Sequence, residues 1–163
     1  MGFNIGFAPV KVFITTILIS LLSQVALTED DQSTSHLETI VLGAGCFWGA
    51  EKEYAAIPGV VDAVSGYSDG RGVSPTYREI TQFRNRFNPN NHAEVVEVTF
   101  NKNVLSSEEL LRHYFESHDP TQINRQGNDV GTQYRSIILT TTPNQAESAR
   151  KVMDSYQELL VNA

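Results

Sequence analysis

What most constrains the fold of this chain is the order in which its hydrophobic periods change. Thr39-Ile-Val-Leu42 is a short apolar run that stops at Gly43, as a buried strand does. Phe47, Ala50, Tyr54 and Ile57 then recur at helical spacing and stop at Pro58-Gly59. Val60 to Tyr67 reads as a second strand. Glu94 to Phe100 alternates, with Val96, Val98 and Phe100 on one face and Glu97 and Thr99 on the other. Ser106-Ser-Glu-Glu109 is a capping-box pattern ahead of Leu110, Leu111, Tyr114 and Phe115, a helix that ends before His118-Asp119-Pro120. Arg135 to Thr141 supplies a fourth strand. Thr142-Pro143 caps a last helix whose stripe is Ala146, Ala149, Met153 and Tyr156.

Strand, helix, strand, strand, helix, strand is the order of the split β-α-β, ferredoxin-like core. The expected fold is therefore α+β, a two-layer α/β sandwich with long functional loops. The longest is the Gly/Ser/Asn-rich stretch from Ser68 to Asn91, which has no apolar period. With 163 residues, 40% of them hydrophobic, the chain can bury one core and not two. Its formal charge of −7 argues against a nucleic-acid partner, whose binding proteins carry a basic face.

Ahead of this domain, Val12 to Leu27 is almost uninterrupted apolar or small, with Lys11 before it and Glu29-Asp30-Asp31 after it. The run is short for a membrane span, so residues 1–27 are expected to be a cleaved signal peptide, with an uncleaved anchor or a buried helix as alternatives. Residues 28–37 form a polar linker and 38–163 the domain. That reading places the protein in the secretory pathway or outside the cell, or in the periplasm of a bacterium.

The one cysteine excludes an internal disulfide framework and a Cys-rich zinc site. It lies in Gly43-Ala-Gly-Cys46-Phe-Trp-Gly49, between the first strand and the first helix. At a helix N-terminus, open amide groups and the helix dipole favour an anion, and the thiolate is the nucleophilic form. A lone cysteine can equally be a small buried hydrophobe. Trp48 beside it suits an apolar pocket for a substrate group, or core packing. Glu94 shares parity with Val96, Val98 and Phe100, so its carboxyl is aimed at the apolar side of the strand. Burial there raises a carboxyl pKa and makes it a proton donor. His92 and His118 have no carboxylate or thiol at ligand spacing on a shared helix; hydrogen bonding in loops is the expected role, and no metal is expected.

Gly45-Cys-Phe-Trp-Gly49 is followed in order by Gly59-Val-Val, Gly66-Tyr67, Pro75-Thr-Tyr77, His92-Ala-Glu94, His118-Asp-Pro-Thr121 and Asn124-Arg-Gln-Gly-Asn-Asp-Val-Gly-Thr-Gln-Tyr-Arg135. This series, from Thr39 to Tyr156, closely resembles the peptide methionine sulfoxide reductases of the A type. The resemblance implies reduction of the S epimer of methionine sulfoxide, free or in proteins, with no bound cofactor. It places the nucleophile on Cys46, which becomes a sulfenic acid, and the acid on Glu94. Tyr77 and Tyr134 match tyrosines that hydrogen-bond the sulfoxide oxygen, although the residues alone leave both open as ordinary packing. Asp129 matches an orienting carboxylate, and Phe47 and Trp48 match a pocket for the ε-methyl group.

Three departures from the family pattern stand out. Position 81 is Thr, in the neighbourhood where some members place a resolving cysteine, so regeneration is expected to use an external thiol donor such as glutathione, a glutaredoxin or a thioredoxin-type protein. The loop Phe83 to Asn91 looks longer than usual. Members usually continue past the position of Ala163, so the domain is expected to be C-terminally short. The expected protein is a monomer acting on methionine sulfoxide. Two other readings stay open: a non-catalytic relative that binds oxidised methionine segments, and a cysteine acyl-transfer hydrolase with His92 as base.

Overall fold

The computed structural model describes residues 36–72 and 74–162. The expected signal peptide and nearly all of the linker lie outside the described residues. Four strands form one antiparallel sheet: β1 (Leu37–Gly43), β2 (Val60–Ser68), β3 (Ala93–Asn101) and a late strand at Ile137–Thr140, in the spatial order second, third, first, last. β1 and β2, joined by helix α1 (Phe47–Ala55), run parallel with β3 between them. That is the split β-α-β arrangement expected from the order of periods.

β-Branched residues dominate the central ladder, where Ile40 faces Val98 and Leu42 faces Val96. Ile40, Leu42, Val96, Val98 and Phe100 are all buried on one face, and residues of α1 cover them. So do residues of helices α3 (Ser107–Ser117) and α4 (Pro143–Val161), completing two layers around one core. Ser106 caps α3 as expected: its hydroxyl accepts from Glu109 N at 3.2 Å, while the Glu109 carboxylate accepts from Ser106 N at 2.9 Å. Ser106→Ala should lower unfolding stability by about 1 kcal/mol in urea titrations and leave the site's chemistry intact.

The last helix corrects the expected stripe. Met153 is 46% exposed, whereas Val152 is buried in the core. The inward line runs through Gln145, Ala149, Val152 and Tyr156. Gln145 is fully buried: its Nε2 donates to Glu38 Oε2 at 3.2 Å and Thr39 O at 3.1 Å, and its Oε1 accepts from Thr141 N at 2.9 Å. A polar residue satisfied on all sides thus anchors the helix, and an apolar count shifts the stripe by one position.

The long loop also contains more order than its composition announces. It holds a single-turn helix α2 (Tyr77–Ile80) and a 3₁₀ turn at Phe83–Asn85. Before the last strand, two two-residue strands, β4 (Arg125–Gln126) and β5 (Asp129–Val130), make a small hairpin, and a 3₁₀ turn follows at Thr132–Tyr134. The last strand, β6, is therefore Ile137–Thr140, shorter than the Arg135–Thr141 expected.

Candidate active site

β1 ends where two other segments press against it. A Cβ on Gly43 would lie 2.7 Å from Ile137 Cγ2 and 3.1 Å from the Glu94 carbonyl oxygen. Tyr114, on α3, donates from its hydroxyl to Gly43 O at 3.1 Å. Gly45 then turns the chain at φ +98°, a region that L side chains rarely adopt. Cys46, at φ −64° and ψ 120°, is the N-cap of α1. Its thiol is free and half-buried, and its side chain makes no capping bond.

The first helical amide is taken by a residue from another strand. Glu94, on β3, is 1% exposed, and its Oε2 accepts from Phe47 N at 3.2 Å. Its Oε1 is buried and finds no hydrogen-bond partner among the described residues. Burial pushes this carboxyl above its ordinary value; the Phe47 amide pulls it back, and the Asp129 charge pushes it further up. The carboxyl is buried, and the amide it accepts from belongs to the residue after Cys46, an arrangement that can keep a protonated acid near the half-buried thiol. The alternation of β3 places it there.

An aromatic wall stands on the solvent side. The Tyr67 and Phe47 ring centres are 5.4 Å apart, Phe47 and Trp48 6.2 Å, and Trp48 and Tyr77 6.3 Å with planes only 12° apart. Phe47 is buried, while Trp48 is 70% and Tyr77 51% exposed, so the wall opens outward. Tyr134 stands half-buried in the 3₁₀ turn. Burial raises its hydroxyl, and so do the neighbouring charges of Glu94 and Asp129. Cys46, Glu94, Phe47, Trp48, Tyr77, Tyr134 and Asp129 are thus brought to one locality, with Asp129 on exposed β5.

His118 is not part of it. Its Nδ1 donates to Tyr114 O, and its Nε2 lies 2.9 Å from Ser136 Oγ. The ring is spent on protein partners, as the loop reading expected.

Two further residues belong to this locality. Tyr67 pairs directly with Glu94 across β2 and β3 and packs on Phe47; its burial also raises its hydroxyl. The alternation Ala63, Ser65, Tyr67 was the available signal. Gln126, opposite Asp129 in the hairpin, fills the space a Gly45 side chain would need, and its Nε2 is buried with no acceptor among the described residues. Gly45→Ala should cost about 2–3 kcal/mol in chemical denaturation, because the added methyl meets Gln126 Cβ at 2.7 Å on a backbone already at positive φ.

The family model for peptide methionine sulfoxide reductase matches residues 38–161, which include every one of these side chains. The chain belongs to the peptide methionine sulfoxide reductase family. The peptide methionine sulfoxide reductase MsrA of Photobacterium profundum is 42% identical over 131 residues, 80% of this chain and 60% of the relative. That of Rhodospirillum centenum is 48% identical over 124 residues, 76% of this chain and 54% of the relative. Among solved structures, methionine sulfoxide reductase A of Corynebacterium diphtheriae superposes with a TM-score of 0.70 at 45% identity, covering 78% of this chain and 59% of that one. Reduced Mxr1 from Saccharomyces cerevisiae gives 0.68 at 30% identity, covering 78% and 72%. This family member spans between half and two thirds of the length of the first two relatives.

Proposed function

We propose that this chain reduces methionine (S)-sulfoxide, free or in proteins, as a thiol-dependent repair enzyme. The observation that carries the reading is the buried Glu94 carboxyl bonded to Phe47 N, one residue after Cys46. Cys46 Sγ attacks the sulfoxide sulfur while Glu94 delivers its proton to the sulfoxide oxygen, a poor leaving group until protonated. The attack joins Sγ to the methionine sulfur, and the sulfur–oxygen bond breaks to release hydroxide. That hydroxide bonds Sγ as the Sγ–sulfur bond breaks, so Cys46 ends as a sulfenic acid and methionine leaves; Cys46 loses the two electrons that the sulfoxide sulfur gains. Tyr77 and Tyr134 donate to the oxygen as negative charge builds on it. Asp129 orients substrate and water, and Phe47 and Trp48 take the ε-methyl group.

Within these 163 residues Cys46 has no second thiol to resolve it. Two equivalents of an external thiol complete the cycle in this proposal, releasing water and a disulfide and restoring Cys46. Glutathione, a glutaredoxin or a thioredoxin-type protein fits that step. Secretion through residues 1–27 belongs to the same proposal and rests on Lys11 followed by the apolar run Val12 to Leu27.

The test is a single turnover. One equivalent of methionine sulfoxide without reductant should yield one methionine per chain and leave Cys46 reactive to dimedone. Binding of oxidised peptides without methionine release would favour the non-catalytic reading instead.

A further inference from the structure

Arg135 gathers four oxygen acceptors from three stretches of chain. Nη1 donates to Asn91 O at 3.1 Å and Thr132 O at 2.7 Å. Nη2 donates to Asp69 O at 2.7 Å and to Asp69 Oδ2 at 2.9 Å. The guanidinium is well covered, with the side chain 16% exposed. Each acceptor stands a few residues from a site side chain: Asp69 follows Tyr67, Asn91 precedes Glu94, and Thr132 precedes Tyr134. Asp69 is held at φ +56°, a conformation costly for a residue with a side chain, and two of the four bonds end on it.

Other bonds of similar length tie the Asn91 and Thr132 stretches to the loop that holds Ile80 and Arg86. Thr132 N donates to Arg86 O at 2.8 Å, Arg86 Nε to Val130 O at 3.0 Å, and Asn91 Nδ2 to Ile80 O at 2.9 Å. Arg135 is the one side chain among these that bonds all of the Asp69, Asn91 and Thr132 stretches. Its planar fork reaches several acceptors at once, which a lysine ammonium at the end of a flexible stem cannot reproduce.

We propose that Arg135 is a positioning residue that fixes Glu94, Tyr134 and Tyr67 relative to one another. The inference rests on the methionine sulfoxide reading for its kinetic part. It separates the two halves of the reaction. Protonation and binding of the sulfoxide oxygen depend on the clamp. The intrinsic reactivity of Cys46, carried by the turn between β1 and α1, does not.

The test compares the native chain with R135K and D69N. With R135K, methionine release in a single turnover should fall about 10- to 100-fold, the loss expected when catalytic groups shift by about 1 Å. Alkylation of Cys46 by iodoacetamide should keep its native rate. Hydrogen exchange should quicken at the amides of Arg71, Asn91 and Thr132, which bond within these loops, while the β1–β3 ladder keeps its protection. D69N retains the carbonyl acceptors and should show a smaller change in the same direction; should R135K fail to fold, D69N carries the comparison.

Native methionine release in R135K, or a fall matched by slower alkylation and uniform exchange, would overturn the inference. If the native chain itself releases no methionine, the activity reading fails. The local exchange pattern then decides alone whether Arg135 organises these loops: faster exchange confined to them supports the clamp, and unchanged exchange refutes it.

Discussion

Cys46→Ser should release no methionine from methionine (S)-sulfoxide and should also be at least as stable as the native chain. The loss is one of electron accounting rather than of rate alone. A thiol can surrender two electrons and carry the sulfoxide oxygen as a sulfenic acid, whereas a hydroxyl would have to become a hydroperoxide. Turnover should fall by at least about four orders of magnitude, the scale on which removal of a nucleophile is felt. Stability moves the other way because of where the residue sits. Cys46 is the N-cap of α1 and makes no capping bond, while serine is among the favoured N-cap residues and gains about 0.5–1 kcal/mol there. Thermal unfolding and methionine release measured on one preparation would show the two effects together. Turnover surviving in C46S would remove the thiol from the chemistry. A collapse of stability would instead point to a packing role.

Where the sequence was legible, a strong local period lay behind it. The alternation of β3 placed Glu94 on the inner face with Val96 and Val98, and Ser106 to Glu109 announced the start of α3 through a capping box that the structure contains. The first helix and its N-terminal cysteine followed from glycines and a clear helical spacing. Met153 was misplaced because the inward line of α4 begins at Gln145, a polar residue whose burial depends on Glu38, Thr39 and Thr141 and so leaves no apolar mark. The hairpin of β4 and β5 is two residues on each side, too short for any period; only Gly127, at φ +59°, marks its turn. Arg135 was unreadable for a different reason. Its longest bonds in sequence span 44 and 66 residues, and they end mostly on backbone oxygens, which carry no residue identity.

Glu94→Gln should slow methionine release about 100- to 1,000-fold while raising thermal stability at neutral pH. The rate falls because glutamine can still accept from Phe47 N and still offer an N–H to the sulfoxide oxygen, but it cannot hand over a proton. Regeneration can take the proton for the departing water from the incoming external thiol, and should keep its native rate. The stability effect follows from the upward shift of the Glu94 carboxyl in the folded chain. Between its ordinary value and the raised one, the folded state holds a proton that the unfolded state has lost. Native stability is therefore highest at acid pH, so far as this group is concerned, and declines as pH rises through that window. A neutral glutamine has no such decline. E94Q should melt a few degrees above the native chain at pH 7, and the gap should close below the ordinary carboxylate value. A native chain that melts higher than E94Q at pH 7, by a margin growing with pH, would mean that the charged carboxylate is the stabilised form. Glu94 would then be a poor acid, and the proton for the sulfoxide oxygen would have to come from Tyr77 or Tyr134.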